Sequence, residues 1–206
     1  MTPHGSETVS SFILAGGASS RMGSNKAFLS CGGKTFLETI AEALELAFTV
    51  RPAVIVSERN KNEFADWEIY FEIITDVIPD LGPISGIHTA LRNCEKEFSA
   101  IVAVDMPMID PSVMGELMKR LVDSEKDAIC IRIGEAIQPM PSIFRTKRCL
   151  EELENGLLTE EIFSPLFLIR RLDTIVVDST ELPFEHRIYE NVNLPEDLAR
   201  VRGTSD

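Results

Sequence analysis

Short apolar runs alternate with amphipathic stretches along this chain, and the alternation predicts its order of elements. Apolar runs of this length that are bounded by turn residues are typical of buried strands. Strands that alternate with helices indicate an α/β fold with a mostly parallel central sheet covered by helices on both faces, a three-layer α/β/α arrangement. We predict strands at 9–15, 53–56, 69–75, 99–104, 127–133, 140–144 and 173–177.

Helical signals lie between these runs. Apolar residues recur at helical spacing over 34–48, which predicts an amphipathic helix with one buried face. Asp110 followed by Pro111 predicts a helix start, because aspartate caps the first turn and proline fits within it. Further helical segments are predicted at 60–65, 85–93 and 147–154, from Ser164 onward, and at 195–201.

The length of 206 residues suits one domain. The first residues are polar and include proline and glycine, so we expect a flexible tail over 1–8. A single domain is expected over 9–202, followed by a frayed C-terminus over 203–206.

The composition narrows the classes of function. A formal net charge of −13 argues against a nucleic-acid-binding surface, since no basic patch rises above the acidic background. The four cysteines are far apart and form no C-x-x-C motif, so neither a zinc site nor a disulfide scaffold is expected. No apolar run approaches the about 18 residues of a membrane span. No signal peptide is visible either, and we predict a cytoplasmic protein that makes no membrane contact.

The stretch that follows the first strand carries the strongest chemical signal. Leu14-Ala15-Gly16-Gly17 leads into a loop that contains Arg21, Gly23 and Lys26. Glycine allows the backbone to approach a bulky anion closely, and successive peptide N–H groups can cradle phosphate oxygens. Two cations in the same loop add positive charge beside a polyphosphate. The stretch predicts a phosphate-binding loop, and a glycine-rich turn with solvated cations is the alternative.

Two better-known phosphate loops are excluded. No G-x-G-x-x-G can be formed from Gly16, Gly17 and Gly23. Gly33-Lys34-Thr35 imitates the end of a P-loop, but Phe28 stands where that motif needs a glycine.

Polar residues follow the next three predicted strands where each one ends. Ser57, Asp76 and Asp105 come directly after the second, third and fourth strands. Ligands of parallel sheets bind outside the carboxyl ends of the strands. We therefore expect these residues and the glycine loop to meet at one edge of the sheet and to form an active site.

Asp105 is the candidate metal ligand. It follows the apolar run 100–104, where a carboxylate is costly unless it meets a cation or hydrogen-bond donors. Mg²⁺ takes carboxylate and phosphate oxygens together, and a divalent cation would help a polyanion approach this acidic protein. The alternatives are an Asx turn before Pro107 or a helix cap, although Asp110 already fills the capping role. For Asp76, a place in the active site and an ordinary turn role are equally supported.

The glycine loop resembles the signature of a known family. Leu14-Ala15-Gly16-Gly17-x-Ser19-x-Arg21-Met22-Gly23-x-x-Lys26 is similar to the signature loop of the molybdenum cofactor guanylyltransferases of the MobA type. Leu81-Gly82-Pro83-Ile84-Ser85-Gly86-Ile87 resembles the family's G-P-L-x-G segment, and 191–198 resembles its N-x-N-T-P-E-D-L segment. The resemblance extends over 13–198 and implies a Rossmann-like nucleotidyltransferase fold.

The resemblance also implies an activity. The expected reaction transfers GMP from GTP to the terminal phosphate of molybdopterin, with or without molybdenum, and releases pyrophosphate. Arg21, Lys26 and Asp105 are the expected catalytic residues, and Asp105 is expected to bind Mg²⁺. The backbone N–H groups of residues 15–17 are expected to hold the phosphates and the base of the nucleotide. Transient contact with cofactor-biosynthesis or acceptor enzymes is expected. The expected nucleotide-binding residues are Leu14, Ala15, Gly16, Gly17, Lys26, Ser57, Asp76, Gly82 and Asp105.

Asn191 and Asn193 are assigned by the resemblance to the pterin substrate. Residues two apart in an extended segment point the same way, so both amides can reach one ligand. A turn before a helix that starts with proline explains the same spacing equally well.

The chain departs from the family pattern in several places. Ser57 stands where an asparagine often contacts the nucleotide, and Asn25 stands where aspartate is common. Leu194 replaces the threonine that usually caps the last helix. The region 159–167 lacks the basic Arg-Arg segment associated with the acceptor side.

Two alternatives remain open. A cytidylyltransferase that acts on the same pterin, or on a sugar or alditol phosphate, shares most of these features. Cytidylyl relatives usually read L-A-A-G, and we interpret Gly17 as the position that favours guanine. A non-catalytic nucleotide-binding domain is the second alternative, because Ser57 and Leu194 depart from the pattern.

Overall fold

The computed structural model describes residues 8–17, 25–78, 81–159, 161, 164–182, 192 and 197. The strands are β1 (Val9–Leu14), β2 (Ser30–Cys31), β3 (Lys34–Thr35), β4 (Ala53–Val56), β5 (Ile73–Thr75), β6 (Phe98–Ala103), β7 (Ala128–Ile133), β8 (Ala136–Arg145) and β9 (Thr174–Asp178). The α-helices are α1 (Phe36–Phe48), α2 (Pro83–Arg92), α3 (Pro111–Val122), α4 (Thr146–Leu158) and α5 (Pro165–Arg171). Short 3₁₀ helices span Lys26–Phe28, Lys61–Trp67 and Ser179–Glu181.

Seven strands form the main sheet in the order β5-β4-β1-β6-β8-β7-β9. β1 pairs in parallel with both β4 and β6, β4 pairs in parallel with β5, and β7 with β9. β8 is antiparallel to its neighbours β6 and β7. Among the helices, α1 packs against α3, whereas α2 packs against α4 and α5. The predicted three-layer α/β/α fold with a mostly parallel sheet is confirmed.

The strands at the centre of this sheet are buried on both faces. All four residues of β4 are buried, and five of the six residues of β6 are. A strand between two helical layers reads as a continuous apolar run rather than as an alternating pattern, which is why the sequence showed these strands clearly. Full burial of one Val, Leu or Ile side chain contributes about 1.5–3 kcal/mol.

α1 begins two residues later than its apolar pattern predicted. Gly32 and Gly33 have positive φ angles of 62° and 84° and join β2 to β3 in a small antiparallel hairpin. Thr35 then caps the helix in a reciprocal arrangement, since its hydroxyl accepts from the Glu38 N–H and the Glu38 carboxylate accepts from the Thr35 N–H. Gly33-Lys34-Thr35 is thus a hairpin and a helix cap.

Other boundaries also differ from the prediction. β5 covers only 73–75, because the N–H groups of Tyr70 and Phe71 both donate to the Trp67 carbonyl and keep the preceding segment in a turn. β8 is much longer than the predicted 140–144, and α4 continues through Gly156 to Leu158. The closing helix predicted at 195–201 lies outside the described residues except for Asp197, which is helical.

Within the described part of the chain, no helix combines the length and the apolar character that a bilayer crossing requires.

Candidate functional site

The carboxyl ends of β1, β4, β5 and β6 lie at one edge of the sheet, because these neighbouring strands run in the same direction. Short hydrogen bonds continue the pairing just beyond the strands. The Ala15 N–H donates to the Ile55 carbonyl at 2.8 Å, and the Asp76 N–H donates to the Val56 carbonyl at 2.8 Å. The Val104 N–H donates to the Leu14 carbonyl at 3.0 Å. The first turns after all four strands are therefore held side by side.

Gly16 brings the loop after β1 into contact with the ends of β4 and β5. A Cβ atom added to Gly16 would lie 3.0 Å from the Ser57 nitrogen and 3.4 Å from Asp76 Oδ2. The first distance is tighter than most real Cβ contacts, so a side chain here would force Ser57 to shift by a few tenths of an ångström, and glycine permits the close approach of these three residues. Gly16, Ser57 and Asp76 form one corner of the candidate site.

The N–H groups of the glycine loop do not all face the site. Ala15 is buried, its N–H donates to Ile55 and its carbonyl accepts from the Asn60 side chain. The N–H groups of Gly16 and Gly17 make no hydrogen bond to another described residue. The expectation that the N–H of Ala15 holds a phosphate is therefore wrong, because that donor is committed to the sheet. Gly16 and Gly17 retain the donors that a ligand could use.

Asn60 lies behind this corner and was not predicted as a site residue. Its Oδ1 accepts from the Ser57 N–H at 2.9 Å and from the Ser57 hydroxyl at 2.8 Å, and its Nδ2 donates to the Ala15 carbonyl at 2.9 Å. The side chain is buried. The spacing of a serine and an asparagine three apart after a strand was the available signal, because asparagine side chains often bond to nearby backbone.

Lys26 and Asp105 meet across the same edge. Lys26 is the first residue of a 3₁₀ helix. Asn25 caps this helix, because its Oδ1 accepts a hydrogen bond from the Ala27 N–H. Lys26 Nζ lies 3.4 Å from Asp105 Oδ2, and the two side chains are 17% and 21% exposed. Burial raises the pKa of the Asp105 carboxyl, and the positive charge of Lys26 opposes that rise. The residues predicted to be catalytic, Lys26 and Asp105, are thus in direct contact.

The second carboxylate oxygen of Asp105 is suited to bind a cation. Asp105 Oδ1 is buried and makes no hydrogen bond within the described residues, and the same is true of Asp76 Oδ1. Buried unpaired carboxylate oxygens are costly, and a hard divalent cation takes such oxygens as ligands. No cluster of three or more Asp, Glu, His or Cys side chains suited to a metal occurs among the described residues. The donor set fits a cation that draws its remaining ligands from water and substrate phosphates.

Val192 also contacts this edge of the sheet. Its N–H donates to the Asp105 carbonyl at 2.7 Å, and its side chain is buried. Asn191 and Asn193, and the predicted catalytic Arg21, lie outside the described residues.

The helix α2 packs against β1, the strand that leads into the glycine loop. Gly82 precedes the helix with a φ of 66°, and Pro83 occupies its first turn. A Cβ on Gly86 would lie 3.1 Å from Leu14 Cδ2, so glycine at this position allows the helix to pack closely against β1. His88 is buried further along α2, where its Nε2 lies 3.4 Å from Glu154 Oε1 of α4.

The departure at Asn25 has a local explanation. Besides capping the 3₁₀ helix, Asn25 donates from Nδ2 to Glu63 Oε2 at 3.1 Å. An aspartate at this position would lose that donor and place a carboxylate against Glu63. Asn25 and Glu63 therefore suit each other in this chain.

Comparison with known proteins decides the family. The family model of the MobA-like NTP transferase domain matches residues 11–173, which contain the glycine loop, Ser57, Asp76 and Asp105. The chain belongs to the MobA-like NTP transferase family. The sequence-based resemblance is thereby confirmed.

Relatives of this MobA-like protein share most of its length. A Natronomonas pharaonis protein named "Probable molybdenum cofactor guanylyltransferase" is 33% identical over 201 residues, covering 92% of this chain and 95% of the relative. A Natranaerobius thermophilus protein of the same name is 30% identical over 203 residues, covering 95% and 96%. The crystal structure of molybdopterin-guanine dinucleotide biosynthesis protein A from Archaeoglobus fulgidus matches with a TM-score of 0.80 and 25% identity, covering 94% of this chain and 97% of that one.

The interpretation of Gly17 as the position that separates guanylyl from cytidylyl relatives is wrong, because L-A-A-G differs from this MobA-like loop at position 16. When L-A-A-G is placed on residues 14–17, its second alanine falls on position 16 rather than 17. Among the described residues, a Cβ on Gly17 would meet nothing within 4 Å, whereas one on Gly16 would press on Ser57. Gly16 is therefore the relevant residue of the comparison.

Asp76 of the MobA-like site gives a prediction for stability against pH. Burial raises the pKa of its carboxyl from 3.8 to about 6, so the folded protein binds this proton more tightly than the unfolded chain. The contribution of this tighter proton binding to the free energy of unfolding is fully present below about pH 4 and is lost as the pH rises through about 6. Relative to Asp76→Asn, we expect the wild-type free energy of unfolding to fall by about 1–2 kcal/mol between pH ~4.5 and pH ~7, allowing for partial exposure.

Urea titrations at the two pH values measure this difference. Asp66→Asn, which changes an exposed aspartate of the 3₁₀ helix after β4, is the matched control and should follow the wild-type profile. If the free energy of unfolding of Asp76→Asn changed with pH as it does in the wild type, the pH dependence could not be assigned to the Asp76 carboxyl.

Proposed function

We propose that this chain transfers GMP from GTP to the terminal phosphate of molybdopterin, with or without molybdenum, and releases pyrophosphate. Its membership of the MobA-like family and the names of relatives that share more than 90% of their length with it support this reaction. The arrangement of Lys26 and Asp105 is the structural observation that carries the proposal. The two side chains are paired at the carboxyl edge of the sheet, and one buried oxygen of Asp105 is left without a hydrogen bond among the described residues.

The reaction needs positioning and charge neutralisation rather than a covalent intermediate. An oxygen of the molybdopterin phosphate forms a bond to the α-phosphorus of GTP. The bond between that phosphorus and the oxygen that joins it to the β-phosphorus breaks. The bonding electrons leave with pyrophosphate. Lys26 would neutralise charge on the triphosphate, and Arg21 is proposed to assist it. The N–H groups of Gly16 and Gly17 would hold phosphate oxygens or the base edge.

Mg²⁺ is the proposed metal, held by Asp105. Bound there, it would neutralise the developing charge on the triphosphate. Asp105 Oδ2 faces Lys26 and its Oδ1 is buried and unpaired within the described residues, so one carboxylate can serve both cations. Burial raises the pKa of the Asp105 carboxyl, and the pairing with Lys26 opposes that rise in favour of the charged form, which is the form that binds a metal.

The remaining proposed contacts divide between the two substrates. Leu14, Ala15, Ser57, Asp76 and Gly82 are proposed to line the nucleotide side, where Gly16 brings Ser57 and Asp76 together. Asn191 and Asn193 are proposed to contact the pterin. The hydrogen bond between Val192 and Asp105 supports a C-terminal segment close to the reacting phosphates.

The cellular setting is proposed from the chemistry and the sequence. We propose that a single domain over 9–202 carries the activity in the cytoplasm. Transient contact with the enzymes that supply the pterin or receive the product is proposed as well.

Pyrophosphate release tests the reaction. The purified protein is incubated with Mg²⁺, molybdopterin and GTP, CTP or ATP in separate assays, with a reaction lacking molybdopterin as the control. We expect release with GTP that depends on molybdopterin. Preference for CTP would support a cytidylyltransferase instead, and nucleotide binding without release would support a non-catalytic domain.

A further inference from the structure

Asn60 joins the ends of β1 and β4 through a single buried side chain. Its amide accepts two hydrogen bonds from Ser57, at 2.9 Å from the N–H and at 2.8 Å from the hydroxyl, and donates one to the Ala15 carbonyl at 2.9 Å. The backbone N–H of Asn60 also donates to the Ser57 carbonyl at 3.1 Å. Asn60 is 9% exposed, so water competes little for these bonds.

The bond to Ala15 has a geometric consequence for Gly16. The carbonyl of Ala15 and the N–H of Gly16 belong to one planar trans peptide, so they point in opposite directions. The hydrogen bond from Asn60 Nδ2 holds the carbonyl toward Asn60. The Gly16 N–H must then point away from Asn60, and it has no hydrogen-bond partner among the described residues.

The bond from the Ser57 hydroxyl has a second consequence. Because that hydroxyl donates its proton to Asn60 Oδ1, only its lone pairs remain for another contact. The same amide therefore leaves Gly16 with a donor and Ser57 with an acceptor that no described residue uses, at the ends of adjoining strands that are in contact.

We propose that Asn60 is a positioning residue for nucleotide binding. It fixes the direction of the Gly16 N–H and the acceptor face of the Ser57 hydroxyl before the nucleotide arrives. This role rests on the proposed function, since it presupposes that Gly16 and Ser57 contact the nucleotide. It assigns to Asn60 no contact with the substrate.

The variant Asn60→Asp tests the role with little change in size. The introduced carboxylate keeps acceptors for Ser57 but lacks the donor to Ala15, and it turns an oxygen toward that carbonyl. We expect the KM and the Kd for GTP to rise roughly tenfold, while kcat and the KM for molybdopterin change less than about threefold. A purely structural residue would lower the melting temperature without separating the two substrates.

Asn62→Asp is the matched control. Asn62 is an exposed residue of the 3₁₀ helix Lys61–Trp67, which begins directly after Asn60, so this variant adds the same charge without touching the strand ends. Its kinetic constants should match those of the wild type. Calorimetric titration with GTP and thermal melting are carried out on all three proteins.

The outcomes separate the two proposals. Absence of GTP binding by the wild type would overturn the proposed function. Normal GTP binding by the wild type and by Asn60→Asp would overturn the positioning role alone, and so would equal increases in the KM for both substrates. If Asn60→Asp does not fold, Asn60→Ala removes the same bonds without a charge and is measured in its place. Failure of both to fold would make Asn60 a structural residue.

Discussion

Replacing Asp105 with asparagine is expected to lower the rate of GMP transfer by on the order of 10²–10³. Asp105→Asn keeps the size of the side chain and an acceptor for Lys26, which lies 3.4 Å away. It removes the negative charge that would hold the metal against the substrate phosphates. Initial rates of pyrophosphate release at saturating GTP and Mg²⁺ measure the loss.

The same substitution is expected to leave the fold intact or to stabilise it. Burial raises the pKa of the Asp105 carboxyl, so its ionised form costs stability at neutral pH, and a neutral amide avoids that cost. Thermal melting of the protein without substrates measures this effect. Asp173→Asn is the control, because Asp173 is an exposed carboxylate paired with Lys126 and lies before β9, at the opposite edge of the sheet. A fully active Asp105→Asn would refute the metal assignment.

Replacing Lys26 with methionine is expected to lower the rate of transfer by a similar factor, on the order of 10²–10³. Methionine keeps the apolar stem of the side chain and removes its charge. The loss has two causes, since the triphosphate loses a neutralising cation and Asp105 loses the charge that opposes its raised pKa. Lys34→Met, which removes an exposed lysine paired with Glu42, should leave the rate unchanged.

A double-mutant cycle tests whether Lys26 and Asp105 act as one unit. When two residues act as one unit, the double variant slows the reaction by a factor far smaller than the product of the factors for the two single variants. We expect the double variant to be about as slow as the slower single variant. Losses that multiply would mean that the two side chains act independently, contrary to the proposal.

Much of this arrangement could be predicted because it depends on local pattern. Asp110 and Pro111 start α3 as predicted, and the Asp110 side chain accepts from the Ser112 N–H at 2.7 Å. The buried strands appeared as apolar runs, and in a parallel sheet the residue after each run must lie at one edge. Ser57, Asp76 and Asp105 could therefore be assigned to that edge without coordinates.

Other features escaped prediction because distant contacts override the local signal. β8 contains two prolines and reads as a broken pattern, yet it forms a long strand between β6 and β7. The apolar pattern of α1 extended into residues that the Gly32-Gly33 turn places in a hairpin. Periodicity records which side chains can be buried, whereas the turn and the pairing partner determine where an element begins.

The amino-acid sequence alone was sufficient for the α/β class, the family and the strand ends that carry polar residues, because each of these follows from short-range pattern. The pairing of Lys26 with Asp105, the commitment of the Ala15 N–H to the sheet and the role of Asn60 required the folded chain. These features join residues 40 to 79 positions apart through single hydrogen bonds. No local pattern encodes such contacts, since they exist only once parallel strands have brought their ends together.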